Sequence, residues 1–443
     1  MTKFALVSYT LPPVSSGQGV ALYRILVNLP LNSYCLISQR KYGDNLTFQN
    51  NKSTSEASIQ HVPTLAKGIK KSTDFLPVNY YHCPQIKQIK RGASWLARLR
   101  LLQAVNFPIG LHTLPDYVDA IEALLKLEKC SAVVACSGSL WDIPAAYEAS
   151  KRLGIKFHAY YFDWWLYQFY WYKEISFARK KEAIILKNAT KVLVPNESLA
   201  NSLRNRYSIE PVIIRNPCDL SSSKSESDSI CDTDNIIQPV IASSSMEKIA
   251  NSTRKSIRIL YTGAIYGAQS DAIKNLLKAL ELINEYDIKL VVYTTVPQTI
   301  LKLKGISGKV EIYGHLSSGE IRLAQQKADL LLLPLSFTSH YNKEVIMTAS
   351  PGKMSDYLAS GRPILVHAPE NSFIAKFFSD HDCGLVITKR EPNTLATEII
   401  NLLKDESKCE HFVKNAMNLA VKEFDSKIVS DKFFRSVTSN SSS

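Results

Sequence analysis

The chain reads as an α/β protein made of two doubly wound domains, and three observations lead there. Short apolar runs alternate with amphipathic stretches through both halves: residues 4–8, 132–136, 157–162 and 191–194, then 257–261, 290–293, 310–313, 330–333, 364–367 and 385–387. Such alternation implies parallel sheets with helical crossovers. The length of 443 residues exceeds one core and fits two domains of about 200 residues each. The alternation stops between Ser221 and Ser256, where Ser-Ser-Ser-Lys-Ser-Glu-Ser-Asp opens a polar, low-complexity stretch. That composition suits a linker or insertion.

The expected organisation follows in order. Residues 1–220 form the first domain, 221–256 the linker or insertion, 257–418 the second domain, and 419–443 a helix returning to the first domain with a tail. In the first domain, strand 4–8 leads through Leu11-Pro-Pro-Val-Ser-Ser-Gly17-Gln-Gly19 into an apolar helix over 20–29. Helices are expected over 143–153 and 197–207, and a last one over 415–434.

Bulk properties narrow the class. With 45% hydrophobic and 21% charged residues, the composition is that of a globular protein. No apolar run approaches the roughly 18–20 residues of a membrane span. The opening Met1-Thr-Lys-Phe-Ala-Leu-Val-Ser-Tyr-Thr-Leu-Pro-Pro breaks too early for a signal peptide and reads as a first strand. Eight cysteines are scattered without a C-x-x-C pair, so neither a zinc site nor a disulfide frame is expected, and a cytoplasmic setting is. The net charge of +13 favours anionic partners. No nucleic-acid-binding signature accompanies it, so nucleic acid is not expected as a partner. Part of the excess is local: residues 85–103 carry Lys87, Lys90, Arg91, Arg98 and Arg100 and no acid, interleaved with apolar residues. Two readings stand: a peripheral membrane contact at the inner face, or a helix packed on its own domain with a solvated basic face.

The chemistry concentrates in the second half. Val310-Glu-Ile-Tyr-Gly314-His315, Ala328-Asp329-Leu-Leu-Leu-Leu-Pro334 and Ser350-Pro351-Gly352-Lys353-Met-Ser-Asp356-Tyr-Leu-Ala-Ser-Gly361-Arg-Pro363 follow one another. They read as two buried strands and a short helix, starting at Ser350-Pro351, that leads to a third strand. A helix start presents unpaired N–H groups and a partial positive charge to a phosphate, and proline sharpens that start. Lys353 adds a full charge, at the sheet edge where open α/β folds bind ligands.

These motifs resemble the GT-B glycosyltransferases, and more closely their large retaining nucleotide-sugar group, family four (group 1). The resemblance extends over nearly the whole chain. The Pro-Pro-x-Ser-Ser-Gly17-x-Gly19 loop is similar to the family's glycine-rich first loop. Val192-Leu-Val-Pro-Asn-Glu-Ser-Leu-Ala200 followed by Arg215-Asn216-Pro-Cys-Asp219 resembles the end of its acceptor domain, and Tyr261-Thr-Gly263 the opening strand of its donor domain. Ser350-Pro-x-Lys353-x-x-Asp356-Tyr-Leu-Ala-x-Gly361-x-Pro363 is the most specific match.

The resemblance implies two Rossmann-like domains facing each other across a cleft, with a nucleoside diphosphate sugar as donor and no metal or other cofactor. It implies that Gly314 and His315 lie by the base, and that Ser350, Gly352 and Lys353 face the diphosphate. Asp356 would grip the ribose, Gly17 and Gly19 would let backbone approach the phosphates, and Gly263 would turn the donor strand. Lys353 and Asp356 thus count as catalytic candidates, with Asp163 as a base or acceptor-hydroxyl ligand. Ser137, Gly138, Trp164 and Trp165 would line the acceptor side, in a chain region where aromatic residues cluster from His158 to Tyr172. The implied activity is transfer of a hexosyl-type residue, with retention, onto a glycan or lipid-linked acceptor of polysaccharide biosynthesis. Two alternatives stay open: a nucleotide-sugar epimerase of the same fold, and an inactive nucleotide-binding or assembly protein.

The sequence also departs from the family. Thr348 stands where its first paired acid would be, with Glu344 nearby as a substitute. Ala264 follows Gly263 where the family has arginine, and Tyr266-Gly-Ala-Gln-Ser-Asp271 lacks its lysine. Asp232-Thr-Asp234 and Asp380-His-Asp382 have metal-type spacing but fit chance occurrence. Cys136-Ser137-Gly138-Ser139 lacks the leading glycine of a nucleophile elbow.

Overall fold

The computed structural model describes residues 2–12, 14, 16–40, 70–72, 76–83, 100–220, 256–338 and 342–439. The chain divides into two compact units, Met1–Asn216 with Ser426–Ser443, and Pro217–Asp425.

The first unit holds strands β1 (Phe4–Val7), β2 (Tyr34–Ser38), β3 (Lys70–Ser72), β4 (Tyr80–His82), β5 (Ala132–Cys136), β6 (Lys156–Tyr160), β7 (Lys191–Val194) and β8 (Val212–Ile213). They lie in the order β3-β4-β2-β1-β5-β6-β7-β8, parallel except for the antiparallel β3–β4 pair. β1 shows why both faces are covered. Ala5 and Val7 enter the core under the helices Arg100–Leu127 and Asp142–Leu153. Phe4 and Leu6 enter the opposite core, beneath the helices Gly17–Leu26 and Ser426–Thr438. A strand buried on both faces has no polar side to show, hence its continuous apolar sequence.

The second unit holds β9 (Ser256–Thr262), β10 (Asp287–Tyr293), β11 (Val310–Tyr313), β12 (Leu330–Pro334), β13 (Ile364–His367) and β14 (Leu385–Ile387). All pairs are parallel and the order is β11-β10-β9-β12-β13-β14. In each unit the chain starts in the middle of the sheet, builds to one side, then returns to build the other. The reversal lies between β1 and β5 in the first unit and between β9 and β12 in the second. Beside such reversals the flanking loops diverge and leave a crevice at the carboxyl ends of the strands.

Local chemistry moves several boundaries from those read in the sequence. The first helix begins at Gly17 because the Ser16 side chain accepts the Gly19 N–H and caps it. Arg100–Leu127 is one helix despite Pro108 and Pro115. Each proline removes a helical hydrogen bond, but Tyr117, Ile121, Leu124 and Leu125 anchor the later turns in the core. The basic segment 85–103 lies outside the described residues, apart from the helix backbone from Arg100 onward; the polar stretch 221–255 lies outside them too.

The expected single helix over 415–434 is instead a helix Glu406–Leu419, a π-helical turn Ala420–Phe424 and a separate helix Ser426–Thr438. The break has a cause: the Cys218 N–H donates to the Phe424 carbonyl at 2.8 Å, taking it out of the helical ladder. In the first unit, Phe433 of the last helix packs on Phe4 and Tyr160, while the Ser430 hydroxyl donates to the Ile25 carbonyl. Phe433 is fully buried, so Phe433→Ala should cost about 3–5 kcal/mol in urea unfolding. A loss under about 1 kcal/mol would show that the terminal helix is peripheral.

Candidate functional site

In the second unit, the reversal brings together two segments about ninety positions apart in sequence. β9 ends at Thr262 and Gly263 turns away with φ +118, its N–H donating to the Tyr293 carbonyl at 2.8 Å. Across from it the short helix Lys353–Leu358 aims its first side chain back. The Lys353 ammonium donates to the Tyr261 hydroxyl at 2.9 Å and lies 4.1 Å from the centre of that ring. Tyr261 is itself fixed, its hydroxyl donating to the Ala264 carbonyl at 2.7 Å. Behind the pair, Tyr357 accepts the Thr262 N–H at 3.1 Å, locking helix to strand.

Glycine at 263 is dictated by this approach. A Cβ there would stand 3.3 Å from the Lys353 ammonium and on a backbone conformation that side chains rarely adopt. Lys353 keeps part of its surface exposed, but its ammonium end is desolvated, which lowers its pKa to about 7. Among the described residues no carboxylate pairs with it. An ammonium held by a hydroxyl and a ring, without a counter-ion, is poised for an incoming anion.

The other residues that the resemblance assigns to the donor fall around this point or along the same sheet edge. Gly352 precedes the helix and Asp356 lies in its first turn. The helix starts at Lys353, not at Ser350-Pro351, because Pro351 belongs to the preceding turn and its carbonyl accepts the Met354 N–H at 2.9 Å. The cation, more than a row of amides, is therefore the anion-attracting feature. Gly314 and His315 are exposed in the loop after β11, beyond a stacked Tyr293–Tyr313 pair. Thr348 is buried and donates its hydroxyl to the Glu344 carbonyl; Glu344 sits in the helix Lys343–Met347.

In the first unit, the carboxyl ends of β1, β5 and β6 converge. The Gln18 amide donates to the Ser8 hydroxyl at 3.0 Å, and its other end lies against Gly138, where a Cβ would come within 3.1 Å of Oε1. Gly17 opens the first helix with free space where a side chain would be, whereas the space at Gly19 is filled by the Val14 carbonyl, 2.1 Å from a Cβ there. Gly19 therefore serves the packing of its own loop. Ser137 is buried and its hydroxyl accepts the Phe162 N–H at 2.9 Å, fixing the exit from β6 that carries Asp163. Burial pushes the Asp163 carboxyl up to about 6.

Trp164 and Trp165 correct the sequence reading. Both indoles lie in the core, at 4% and 0% exposure, and their N–H groups are used internally, by Glu182 and by the Ser139 carbonyl. Neither ring offers a face to a sugar. Glu182, unremarked in the sequence, organises this segment. Its fully buried carboxylate accepts from Tyr161 at 3.1 Å, from Trp164 and Leu166 at 3.3 Å, and from Tyr207. Asp163 is thereby flanked on both sides by pinned residues. Asp142 was also missed: buried at the edge of the same crevice, it accepts from the Tyr9 N–H and the Tyr117 hydroxyl, and burial raises it to about 6. Glu182 shares an inward stripe with Ala178, Ile185 and Leu186, a polar intrusion that helical periodicity would have exposed. Asp382 is bonded to His411 at 2.7 Å; Asp232 and Asp234 lie outside the described residues.

Gly263→Ala provides a direct check on the geometry. It should lower stability by about 1–3 kcal/mol from backbone strain, read by denaturant unfolding; a neutral substitution would mean the turn is not held as described.

Residues 256–405 match the family model described as Glycosyl transferases group 1. No curated protein sequence matches the chain. Among solved structures, the chain is similar to sucrose-phosphate synthase (tll1590) from Thermosynechococcus elongatus, with 13% identity, a TM-score of 0.63 and 98% coverage of each chain. A glycosyltransferase from Rickettsia africae aligns at 13% identity and a TM-score of 0.60, over 98% of this chain and 97% of that one. Anabaena Alr3699/HepE in complex with UDP-glucose aligns at 11% identity and a TM-score of 0.59, over 98% and 99%. Two parallel α/β units, this likeness over whole chains and the match in the second unit identify the protein as a GT-B fold chain whose second unit is similar to the group 1 glycosyl transferases.

Proposed function

We propose that the protein transfers a sugar from a nucleoside diphosphate sugar to a glycan or lipid-linked hydroxyl acceptor, with retention of configuration. The observation that carries this reading is the Lys353 ammonium, seated without a counter-ion among the described residues beside Gly263 at the reversal point of the second unit. It lies within the residues that match the group 1 glycosyl transferases. The likeness to HepE, whose structures hold UDP with glucose and UDP-glucose, supports a donor of that class.

The proposed chemistry uses each unit for one partner. In the second, Lys353 meets the diphosphate. As the bond from the anomeric carbon to the diphosphate oxygen breaks, negative charge grows on the leaving group. A fixed cation then stabilises the transition state more than the ground state. The acceptor oxygen bonds to the anomeric carbon on the same face and its proton passes to a diphosphate oxygen, so no external base is consumed. Asp356, one helical turn beyond Lys353, takes the ribose hydroxyls, and the loop carrying Gly314 and His315 takes the base. With Ala264 after the glycine turn and no lysine or arginine between Tyr266 and Asp271, Lys353 is the cation this reading assigns to the diphosphate.

In the first unit Asp163 positions the acceptor hydroxyl. Its carboxyl is ionised above pH about 6, so it can accept a hydrogen bond from that hydroxyl at neutral pH. Gly17, in the same unit, leaves open the space where a side chain would stand. Among the described residues no helix is long and apolar enough to cross a membrane, and the described cysteines are free, which fits a reducing compartment.

Thermal-shift screening against uridine, guanosine, adenosine and cytidine diphosphates tests the donor side. One nucleotide should stabilise the parent protein, by about 2.7 kcal/mol at 100 times its dissociation constant, and Lys353→Ala should abolish the response. An unchanged response in Lys353→Ala would remove the lysine from the site. With the matching sugar nucleotide, sugar appearing on an acceptor supports transfer. An isomerised donor would replace this reading by epimerisation, and binding without turnover would replace it by an inactive nucleotide-binding protein.

A further inference from the structure

The helix Tyr172–Asn188 follows directly from the Asp163 segment and has an unusual division of charge. Its inward stripe is Ala178, Glu182, Ile185 and Leu186. At 100° per residue the opposite stripe is centred on Lys173, Lys180, Ile184 and Lys187, with Arg179 and Lys181 on its two sides. All six are exposed. The two acids of this helix are elsewhere: Glu182 is buried in the tyrosine and tryptophan cluster, and Glu174 is half-buried on the flank. The outward face therefore carries five cations and no anion. Among the described residues no salt bridge joins any of the five to an acid.

Apolar groups break through this same face. Ile184 is 54% exposed and Tyr172, at the first turn, 84%. Single exposed apolar side chains are common on a protein surface; what distinguishes these two is that they stand among five cations. Cations around exposed tyrosine and isoleucine match the boundary between lipid head groups and acyl chains. There lysines meet anionic phosphates, while a tyrosine ring keeps its hydroxyl wet and its body in the apolar layer.

We propose that this face of the helix Tyr172–Asn188 docks the protein on an anionic lipid bilayer. These residues are separate in sequence from the segment 85–103 discussed above. It also bears on the acceptor. The helix starts at the carboxyl edge of the first sheet, a few residues after Asp163, so its Tyr172 end marks the edge at which a membrane-held acceptor would arrive. The docking itself stands independently of the sugar-transfer reading.

The test is co-sedimentation of the full chain with vesicles of equal parts phosphatidylcholine and phosphatidylglycerol, compared with phosphatidylcholine alone. The parent protein should bind the anionic vesicles and lose binding as salt rises. The variant Lys180→Gln/Lys181→Gln/Lys187→Gln should partition about 100-fold more weakly, at about one kcal/mol per lysine lost. Tyr172→Ala should weaken binding at every salt concentration. These positions are exposed, and unchanged circular dichroism would show that the variants fold. Equal binding by parent and triple variant would overturn the proposal and return membrane contact to another surface. So would equal binding to neutral vesicles, or no vesicle binding at all. Retention of single-stranded RNA or duplex DNA by the parent alone, with no vesicle binding, would replace the lipid by nucleic acid.

Discussion

The ammonium of Lys353 stands where two parts of the second unit must agree. Strand β9 supplies the Tyr261 ring and the glycine turn, and the helix Lys353–Leu358 supplies the cation that rests on them. A charge so desolvated is costly unless something compensates. Here a hydroxyl and a π-face compensate only in part, which is why its pKa falls to about 7. A diphosphate would complete the compensation. The absence of a paired carboxylate among the described residues is thus a structural cost that makes sense as readiness for a ligand.

The first unit uses buried polar groups in the opposite way, to fix backbone. Ser137 holds the peptide after β6, Glu182 holds the residues either side of Asp163, and Asp142 holds the loop after β1 through the Tyr9 N–H. These groups are saturated with donors, so they organise rather than react. Burial raises Asp163 as it raises Asp142 and Glu182, but at Asp163 no described hydrogen bond offsets it. A rigid surround with one under-satisfied acid is the arrangement expected of a positioned site.

The fold class was legible because parallel strands buried on both faces are written as continuous apolar runs, and β5, β7 and β13 fall where those runs lie. Lys353 and Gly263 were legible as motif residues. Their meeting through Tyr261 was not, because a strand end and a helix start some ninety positions apart carry no joint pattern in sequence. Trp164 and Trp165 misled for a related reason. An aromatic cluster at a strand end looks the same whether its rings face a ligand or a core, and only Glu182 on a neighbouring helix decides it. The long helix Arg100–Leu127 was hidden by two prolines whose local penalty tertiary packing overrides. The π-turn at Ala420–Phe424 depends on a hydrogen bond from Cys218, which no local propensity encodes.

The central claim is that Lys353 is a desolvated cation awaiting a diphosphate. Its titration can be followed by carbon NMR of the chain labelled at the lysine ε-carbons, with Lys353→Arg identifying the signal. The account predicts a midpoint near 7 in the free protein, as burial dictates. With saturating nucleoside diphosphate the midpoint should rise by at least about one unit, because an anion favours the protonated form. A midpoint near the ordinary lysine value of about 10.4 in the free protein, or one that nucleotide leaves in place, would contradict it.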